Sequence, residues 1–131
     1  KPHSYQCDLT FYEQLKNQNL HYIIGILVCI SINTRYVYAY PFRTKTSNEI
    51  YEILKKFIMK ARPWIIETDN GNEFVNNLNK KLFSDNNITH YIFNKAEWKN
   101  GIAIVERFNR TIRQMLDSYM ENNKTLNWVN V

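Results

Sequence analysis

The most continuous apolar segment of the chain covers residues 21–30 and is rich in β-branched side chains. Such a run is typical of a strand that neighbouring layers cover on both faces. Shorter segments at 5–10 and 36–42 predict two more strands, and the short turn before the latter favours antiparallel pairing. Brief apolar runs at 64–68 and 88–93 predict a fourth and a fifth strand.

A clear helical pattern follows the third strand. Apolar residues recur every three or four positions from Ile50 to Ala61, which predicts a helix with one buried face. Thr46 and Glu49 have the spacing of a capping box at the start of this helix, and Pro63 ends it.

Two further helices are predicted at 75–83 and 103–121, and a polar loop at 94–101 precedes the second of them. Residues 125–131 have the pattern of the first turns of another helix. The order β-β-β-α-β-α-β-α predicts an α/β protein with a five-stranded mixed sheet flanked by helices. The strand at 64–68 lies between two helices, so we expect it to pair in parallel through right-handed crossovers.

The helix at 103–121 has two contrasting faces. Its apolar face consists of Val105, Phe108, Ile112, Met115, Leu116 and Tyr119. Its polar face consists of Glu106, Arg110, Arg113 and Asp117. The polar stripe has two interpretations: an ordinary solvated face with ion pairs between successive turns, or a surface that directs a carboxylate and two guanidinium groups toward a polyanion.

Composition limits the classes of function. A chain of 131 residues suits one domain, and its formal net charge of +5 favours a polyanionic partner. No apolar run is long enough for a transmembrane helix, and the three glycines form no phosphate-binding motif. Cys7 and Cys29 form no zinc-type cluster, which favours a reducing compartment. Cys7 is interpreted as a small buried residue and His90 as a structural one.

Three carboxylates stand where α/β proteins carry chemistry. Asp8 lies on the first predicted strand, Asp69 at the end of the fourth, and Glu106 early in the last helix. Each also has an ordinary explanation, as a strand end, a turn residue and a helix N-terminal acid respectively. If the three converge, their hard oxygen ligands suit Mg²⁺ or Mn²⁺ and two-metal phosphoryl transfer.

Three segments around these acids resemble the catalytic cores of retroviral-type integrases, the D,D-E family of polynucleotidyl transferases. They are residues 7–10 (CDLT), 67–74 (ETDNGNEF) and 101–111 (GIAIVERFNRT). The segment at 67–74 resembles the family's T-D-N-G-x-E-F motif, and the segment at 101–111 resembles its V-E-R-F-N-R-T motif. The sequence of the latter leans toward gypsy-type retrotransposons or Polinton/Maverick-like elements.

The resemblance implies a ribonuclease H-like fold, DNA 3′-end processing and DNA strand transfer. Asp8, Asp69 and Glu106 would be the catalytic triad and would bind two Mg²⁺ or Mn²⁺ ions. The implied partners are the element's DNA ends, the target DNA and further copies of the chain in a homodimer or larger oligomer, with no membrane. The implied location is the nucleus of a host cell, reached from a viral particle or a cytoplasmic preintegration complex.

The family pattern also implies which residues contact DNA. They are Asn70, Lys95, Lys99, Asn100, Arg110 and Arg113. The loop at 94–101 would be the mobile active-site loop, in which Trp98 is either a stacking platform for a base or an anchor of the loop. Asn100-Gly101 stands two positions farther from Glu106 than the corresponding pair in the family, which is a departure from the pattern.

The resemblance covers nearly the whole chain, so residues 1–131 are expected to be one integrase catalytic core. The zinc-binding N-terminal domain and the DNA-binding C-terminal domain of full-length integrases have no counterpart in this sequence. We therefore expect an excised core that does not perform concerted integration alone.

Two alternatives remain at this point. Asp8, Glu49 and Asp69 have the element order of a ribonuclease H-type nuclease triad, with Glu49 on the first helix. The second alternative is a catalytically silent module for DNA binding or dimerisation, although all three acids of the integrase pattern are present.

Overall fold

The computed structural model describes residues 3–11, 23–44, 46–97 and 103–122, without the side chains of Lys95 and of 116–122. The elements of this part of the chain are β1 (Ser4–Phe11), β2 (Gly25–Ser31), β3 (Val37–Phe42), α1 (Ser47–Ala61), β4 (Ile65–Asp69), α2 (Asn77–Asp85), β5 (Thr89–Phe93), α3 (Lys95–Glu97) and α4 (Ile104–Asn122). The predicted order of strands and helices is confirmed, and the short helix α3 is an addition within the predicted loop. The helix predicted at 125–131 lies outside the described residues. None of the described helices is both long and apolar enough to span a lipid bilayer.

The five strands form one mixed sheet in the order β3-β2-β1-β4-β5. β2 pairs antiparallel with both β1 and β3, whereas β4 pairs parallel with both β1 and β5. This confirms the predicted α/β class and the predicted pairing, and the arrangement fits the ribonuclease H-like fold that the resemblance implies. β2 begins at Gly25, later than the predicted start at residue 21, and Ile23 and Ile24 precede the strand without belonging to it.

Helices cover both faces of this sheet. Cys7 of β1 belongs to the larger core, which α1 and α2 close. On the opposite face, Val105 of α4 packs against Val28 of β2. Because side chains alternate along a strand, Gln6 and Asp8 project on the face that α4 covers.

The two cysteines face each other inside the larger core. Cys7 and Cys29 are register partners on β1 and β2, both side chains are fully buried, and both thiols are free. Their sulfur atoms lie 2.9 Å apart. The interpretation of Cys7 as a small buried residue is therefore confirmed.

The first turn of α1 differs in one detail from the predicted capping box. Thr46 caps the helix, since its Oγ1 accepts a hydrogen bond from the backbone N–H of Glu49 at 3.3 Å. The Glu49 carboxylate does not complete a box; it accepts the backbone N–H groups of Arg43 at 2.9 Å and Thr44 at 2.6 Å. Arg62, in the left-handed region with φ 51°, ends the helix next to Pro63.

The predicted apolar face of α4 is confirmed in its first turns, whereas Met115 departs from it. Val105 is buried and both Phe108 and Ile112 pack against the sheet, but Met115 is 64% exposed. Among the described residues, the apolar cluster on this face of the sheet reaches along α4 only as far as Ile112. No described part of this cluster covers Met115. The side chains of Leu116, Asp117 and Tyr119 lie outside the described part.

Candidate active site

Parallel pairing of β1 and β4 brings Asp8 and Asp69 side by side. Gln6 and Glu67 are register partners in this pair of strands. Asp8 and Asp69 each lie two residues beyond that pair, so they project on the same face of the sheet. Both stand toward the carboxyl ends of neighbouring parallel strands, where α/β sheets usually carry their functional groups.

The carboxyl group of Asp8 is in an unfavourable setting for a negative charge. Burial above all, and then the negative charge of Asp69, raise its pKa to about 7. The backbone N–H of Leu9 and the side-chain amide of Asn109 oppose this rise, whereas the charge of Glu106 adds to it. Both Asp69 and Glu106 thus act electrostatically on the Asp8 carboxyl group.

Asp69 is held by the turn that follows β4. Its Oδ1 accepts the backbone N–H of Gly71 at 3.0 Å. A side chain at position 71 would crowd this arrangement, because an added Cβ would lie 3.2 Å from the same Oδ1 and 2.9 Å from Oε1 of Glu73. The glycine of the Asp-Asn-Gly sequence thus allows the backbone to approach the carboxylate closely.

A hydrogen-bonded chain supports Asp69 from the other face of the sheet. The Thr68 hydroxyl donates to the Asp69 carbonyl oxygen at 2.8 Å, so the same hydroxyl accepts from Nε2 of His90 at 2.7 Å. Burial lowers the pKa of His90 to about 4, which keeps the ring neutral and able to both donate and accept. His90 thus has the structural role predicted for it.

Glu106 reaches the site from α4, which is fastened to β1 at two points. Gln6 Oε1 accepts the backbone N–H groups of Ile104 at 2.6 Å and Val105 at 3.1 Å. Asn109, one turn after Glu106, donates from Nδ2 to Oδ2 of Asp8 at 3.1 Å. Glu106 itself is half-buried at the start of the helix.

The sequence pattern had not singled out Gln6 and Asn109. For Asn109 a signal was present, since a residue three positions after Glu106 shares its side of the helix. Gln6 had a comparable signal, because a residue two positions before Asp8 shares its face of the strand. Their polarity in otherwise buried positions, 5% and 6% exposed, is the feature that marks them.

The donor atoms at this site are of the kind that divalent cations bind. Carboxylate and amide oxygens suit Mg²⁺ or Mn²⁺, and the Asn109 Oδ1 is buried without a hydrogen-bond partner among the described residues. In the described arrangement, however, no three acidic, histidine or cysteine side chains stand close enough together to hold an ion. The three carboxylates therefore have suitable chemistry but do not form a closed ligand set in the described arrangement.

The residues expected to contact DNA are only partly described. Asn70 is exposed directly after β4, and Arg110 and Arg113 are exposed on α4. Lys95 lies in α3, with its side chain outside the described part. Trp98, Lys99 and Asn100 lie outside the described residues altogether.

A separate cavity of about 680 Å³ lies between α2 and β5. Its apolar wall includes Phe83, Ile88 and Ile92, and Lys80 is the charged residue that lines it. Neither Asp8 nor the other two acids contribute to this cavity, so it has no part in their chemistry.

Comparison with known proteins identifies one informative relative. The chain is 33% identical over 108 residues, 81% of its length, to an uncharacterized transposon-derived protein of Caenorhabditis elegans. It spans 37% of the length of that relative. No protein-family model matches the chain. The chain is thus similar to a protein that derives from a mobile element.

Proposed function

We propose that this chain is the catalytic core of a mobile-element integrase, which performs metal-dependent 3′-end processing and DNA strand transfer. The observation that carries the proposal is the placement of three carboxylates, with Asp8 and Asp69 on paired strands and Glu106 on the helix that covers the same face of the sheet. The similarity to a transposon-derived protein supports a mobile-element origin. The integrase motifs around the same three residues support the reaction type.

The proposed reaction is an in-line displacement at a phosphodiester. The oxygen of water, or later of a DNA 3′-hydroxyl, forms a bond to phosphorus, and the bond from phosphorus to the 3′-oxygen of the leaving strand breaks. Asp8, Asp69 and Glu106 would hold Mg²⁺ or Mn²⁺, which when bound activates the attacking oxygen and stabilises the leaving oxygen.

The other residues of the chain have supporting roles in this proposal. Asn109 orients the Asp8 carboxylate through its hydrogen bond. Arg110 and Arg113 are exposed cations on the same helix, suited to neutralising phosphates without reading sequence. DNA is therefore the proposed partner, and self-association of the core is expected.

The contacts of Glu49 favour this reaction over that of a ribonuclease H-type nuclease. Both carboxylate oxygens of Glu49 accept hydrogen bonds from the backbone at Arg43 and Thr44. This turn follows β3, which is separated from β1 by β2. Glu49 thus serves the start of α1, and Glu106 is the third acid whose charge acts on Asp8.

The loss of stability that comes from placing Asp8 beside Asp69 argues against a silent binding module. Two neighbouring carboxylates, one of them buried, destabilise a fold unless a cation compensates them. A module that served only for docking would lose nothing by replacing Asp8, and would gain stability. The presence of the pair is what a metal-dependent reaction requires.

The test uses the purified chain with Mn²⁺ and a labelled branched DNA that mimics the strand-transfer product, because reversing that product needs a single phosphoryl transfer. Asp8→Asn, Asp69→Asn and Glu106→Gln should each lower the rate by about a hundredfold or more, since loss of a metal contact removes several kcal/mol of transition-state stabilisation.

Glu49→Gln is the matched control for this test and should retain the wild-type rate. If Glu49→Gln abolishes the reaction while Glu106→Gln does not, the integrase proposal is wrong and the ribonuclease H-type nuclease replaces it. A wild-type chain that binds DNA but is inactive with both Mn²⁺ and Mg²⁺ would instead favour the silent module.

A further inference from the structure

One buried side chain, that of Gln6, joins the three elements that carry the acids. Its Nε2 donates to Oε1 of Glu67 on β4 at 3.0 Å. Its Oε1 accepts from the backbone of Ile104 at 2.6 Å and of Val105 at 3.1 Å, at the start of α4. Gln6 is 5% exposed, so water does not compete freely for these contacts.

The orientation of the Gln6 amide follows from its partners. Two N–H groups require an acceptor on one side, and a carboxylate requires a donor on the other. A flipped amide would set its NH₂ group against the N–H groups of α4 and its oxygen against the Glu67 carboxylate. The two N–H groups and the carboxylate are all satisfied in only one orientation of the Gln6 amide.

Among the described residues, Gln6 provides the N-terminal cap of α4. The first N–H groups of a helix need an outside acceptor, which a polar side chain just before the helix normally supplies. Here that position is Ala103, whose side chain has no acceptor. Gln6, 98 residues away in sequence, supplies it.

The contact lies next to all three acids. Gln6 and Glu67 are register partners one pleat behind Asp8 and Asp69. On α4, the amide of Val105 is adjacent to Glu106. The position of the helix start, and with it the direction in which Glu106 enters the site, is therefore set from β1.

We propose that Gln6 is a positioning residue that sets α4, and with it Glu106, against the Asp8–Asp69 pair. This inference rests on the proposed strand-transfer function. Gln6 itself is assigned no contact with metal or DNA. Its effect on the reaction is exerted through the placement of Glu106.

Exchange of the two side chains tests the inference. Gln6→Glu sets a second carboxylate against Glu67, so we expect α4 to shift and the rate with Mn²⁺ to fall by about 10- to 100-fold, as for other residues that orient metal ligands. The double variant Gln6→Glu/Glu67→Gln reverses the hydrogen bond, because the new amide donates to the new carboxylate. It should recover most of the lost rate.

Two further variants separate positioning from general stability. Glu67→Gln alone keeps an acceptor for Gln6 and should behave as wild type. Gln6→Met keeps the length of the side chain without polar atoms, and should need more Mn²⁺ for half-maximal activity. A residue with a purely structural role would lower the melting temperature and leave the Mn²⁺ requirement of the folded protein unchanged.

Hydrogen exchange at the amides of Ile104 and Val105 gives a readout that does not depend on activity. We expect protection in the wild type, loss of protection in Gln6→Glu and Gln6→Met, and recovery in the double variant. An active wild type with an equally active Gln6→Met overturns the positioning role alone. An inactive wild type overturns the proposed function, and the exchange pattern still decides whether Gln6 fixes α4.

Discussion

Burial and the neighbouring charge of Asp69 raise the pKa of Asp8 to about 7, so the folded protein favours the protonated carboxyl. In the unfolded chain the same group has its ordinary pKa of 3.8. Between these two values the folded state binds more protons than the unfolded state. The free energy of unfolding therefore falls as pH rises through this range, and the full cost is present above pH 7.

Asp8→Asn removes the charge and should stabilise the protein in metal-free buffer at about pH 8, by roughly 4 kcal/mol at most, since one pKa unit corresponds to about 1.36 kcal/mol. The gain should disappear as the pH falls to 3.8. Calorimetric melting at several pH values measures it. Asp85→Asn, which removes the exposed ion-pair partner of Lys81 on α2, serves as a comparison for the loss of one surface carboxylate. Equal or lower stability of Asp8→Asn above pH 7 would contradict the burial of a charged Asp8.

At the scale of the residue, the sequence pattern singles out the three acids but not the two amides, Gln6 and Asn109, that make hydrogen bonds beside them. Asp8, Asp69 and Glu106 stand in motifs that can be read locally. Gln6 and Asn109 gain their roles from partners far away in the chain, 98 and 101 residues distant. A local pattern contains no information on which distant donor or acceptor a buried amide will meet.

The elements themselves were predictable where their periodicity is long and complete. α1 shows this, because its buried positions recur over four turns and the sequence marks its ends with Thr46 and Pro63. The pattern failed where tertiary packing decides the outcome. Met115 has helical apolar spacing yet is exposed, and residues 95–97 form a helical turn in a segment with only loop composition.

Packing of the neighbouring strands leaves no room for a side chain at Gly25 of β2. A Cβ added there would lie 2.4 Å from Cζ of Phe42 and 2.5 Å from the backbone oxygen of Thr10. Backbone cannot move away as a flexible side chain can, so strain results. Gly25 is therefore a point of close approach between β2 and both of its neighbouring strands.

Gly25→Ala should lower the free energy of unfolding by about 1–3 kcal/mol, the usual cost of overpacking a core. Denaturant unfolding followed by circular dichroism measures the loss. Ala39→Gly, at an exposed position of β3, serves as a comparison for a generic change of residue in the sheet. Unchanged stability of Gly25→Ala would mean that the strands can separate locally at this point.

At the scale of the whole molecule, a bound cation would join two strands and a helix. A ligand that binds only the folded state raises the melting temperature in proportion to its differential binding. We expect Mn²⁺ to raise the melting temperature of the wild type and to have much less effect on Asp8→Asn, and chelation to reverse the shift. Thermal melts across a Mn²⁺ series provide the measurement, with Ca²⁺ as a second oxygen-binding cation. Equal shifts in the two proteins would place the ion elsewhere.

The cap that Gln6 supplies to α4 also affects the stage of synthesis at which the protein becomes able to cut DNA. Contacts between residues so far apart in sequence form late, because a long loop must close before they are gained. During synthesis β1 emerges long before α4, so an incomplete chain has two of the acids but no third one held in place. Under the proposed function, competence to cut DNA would thus arise only after α4 has been synthesised and has docked on β1.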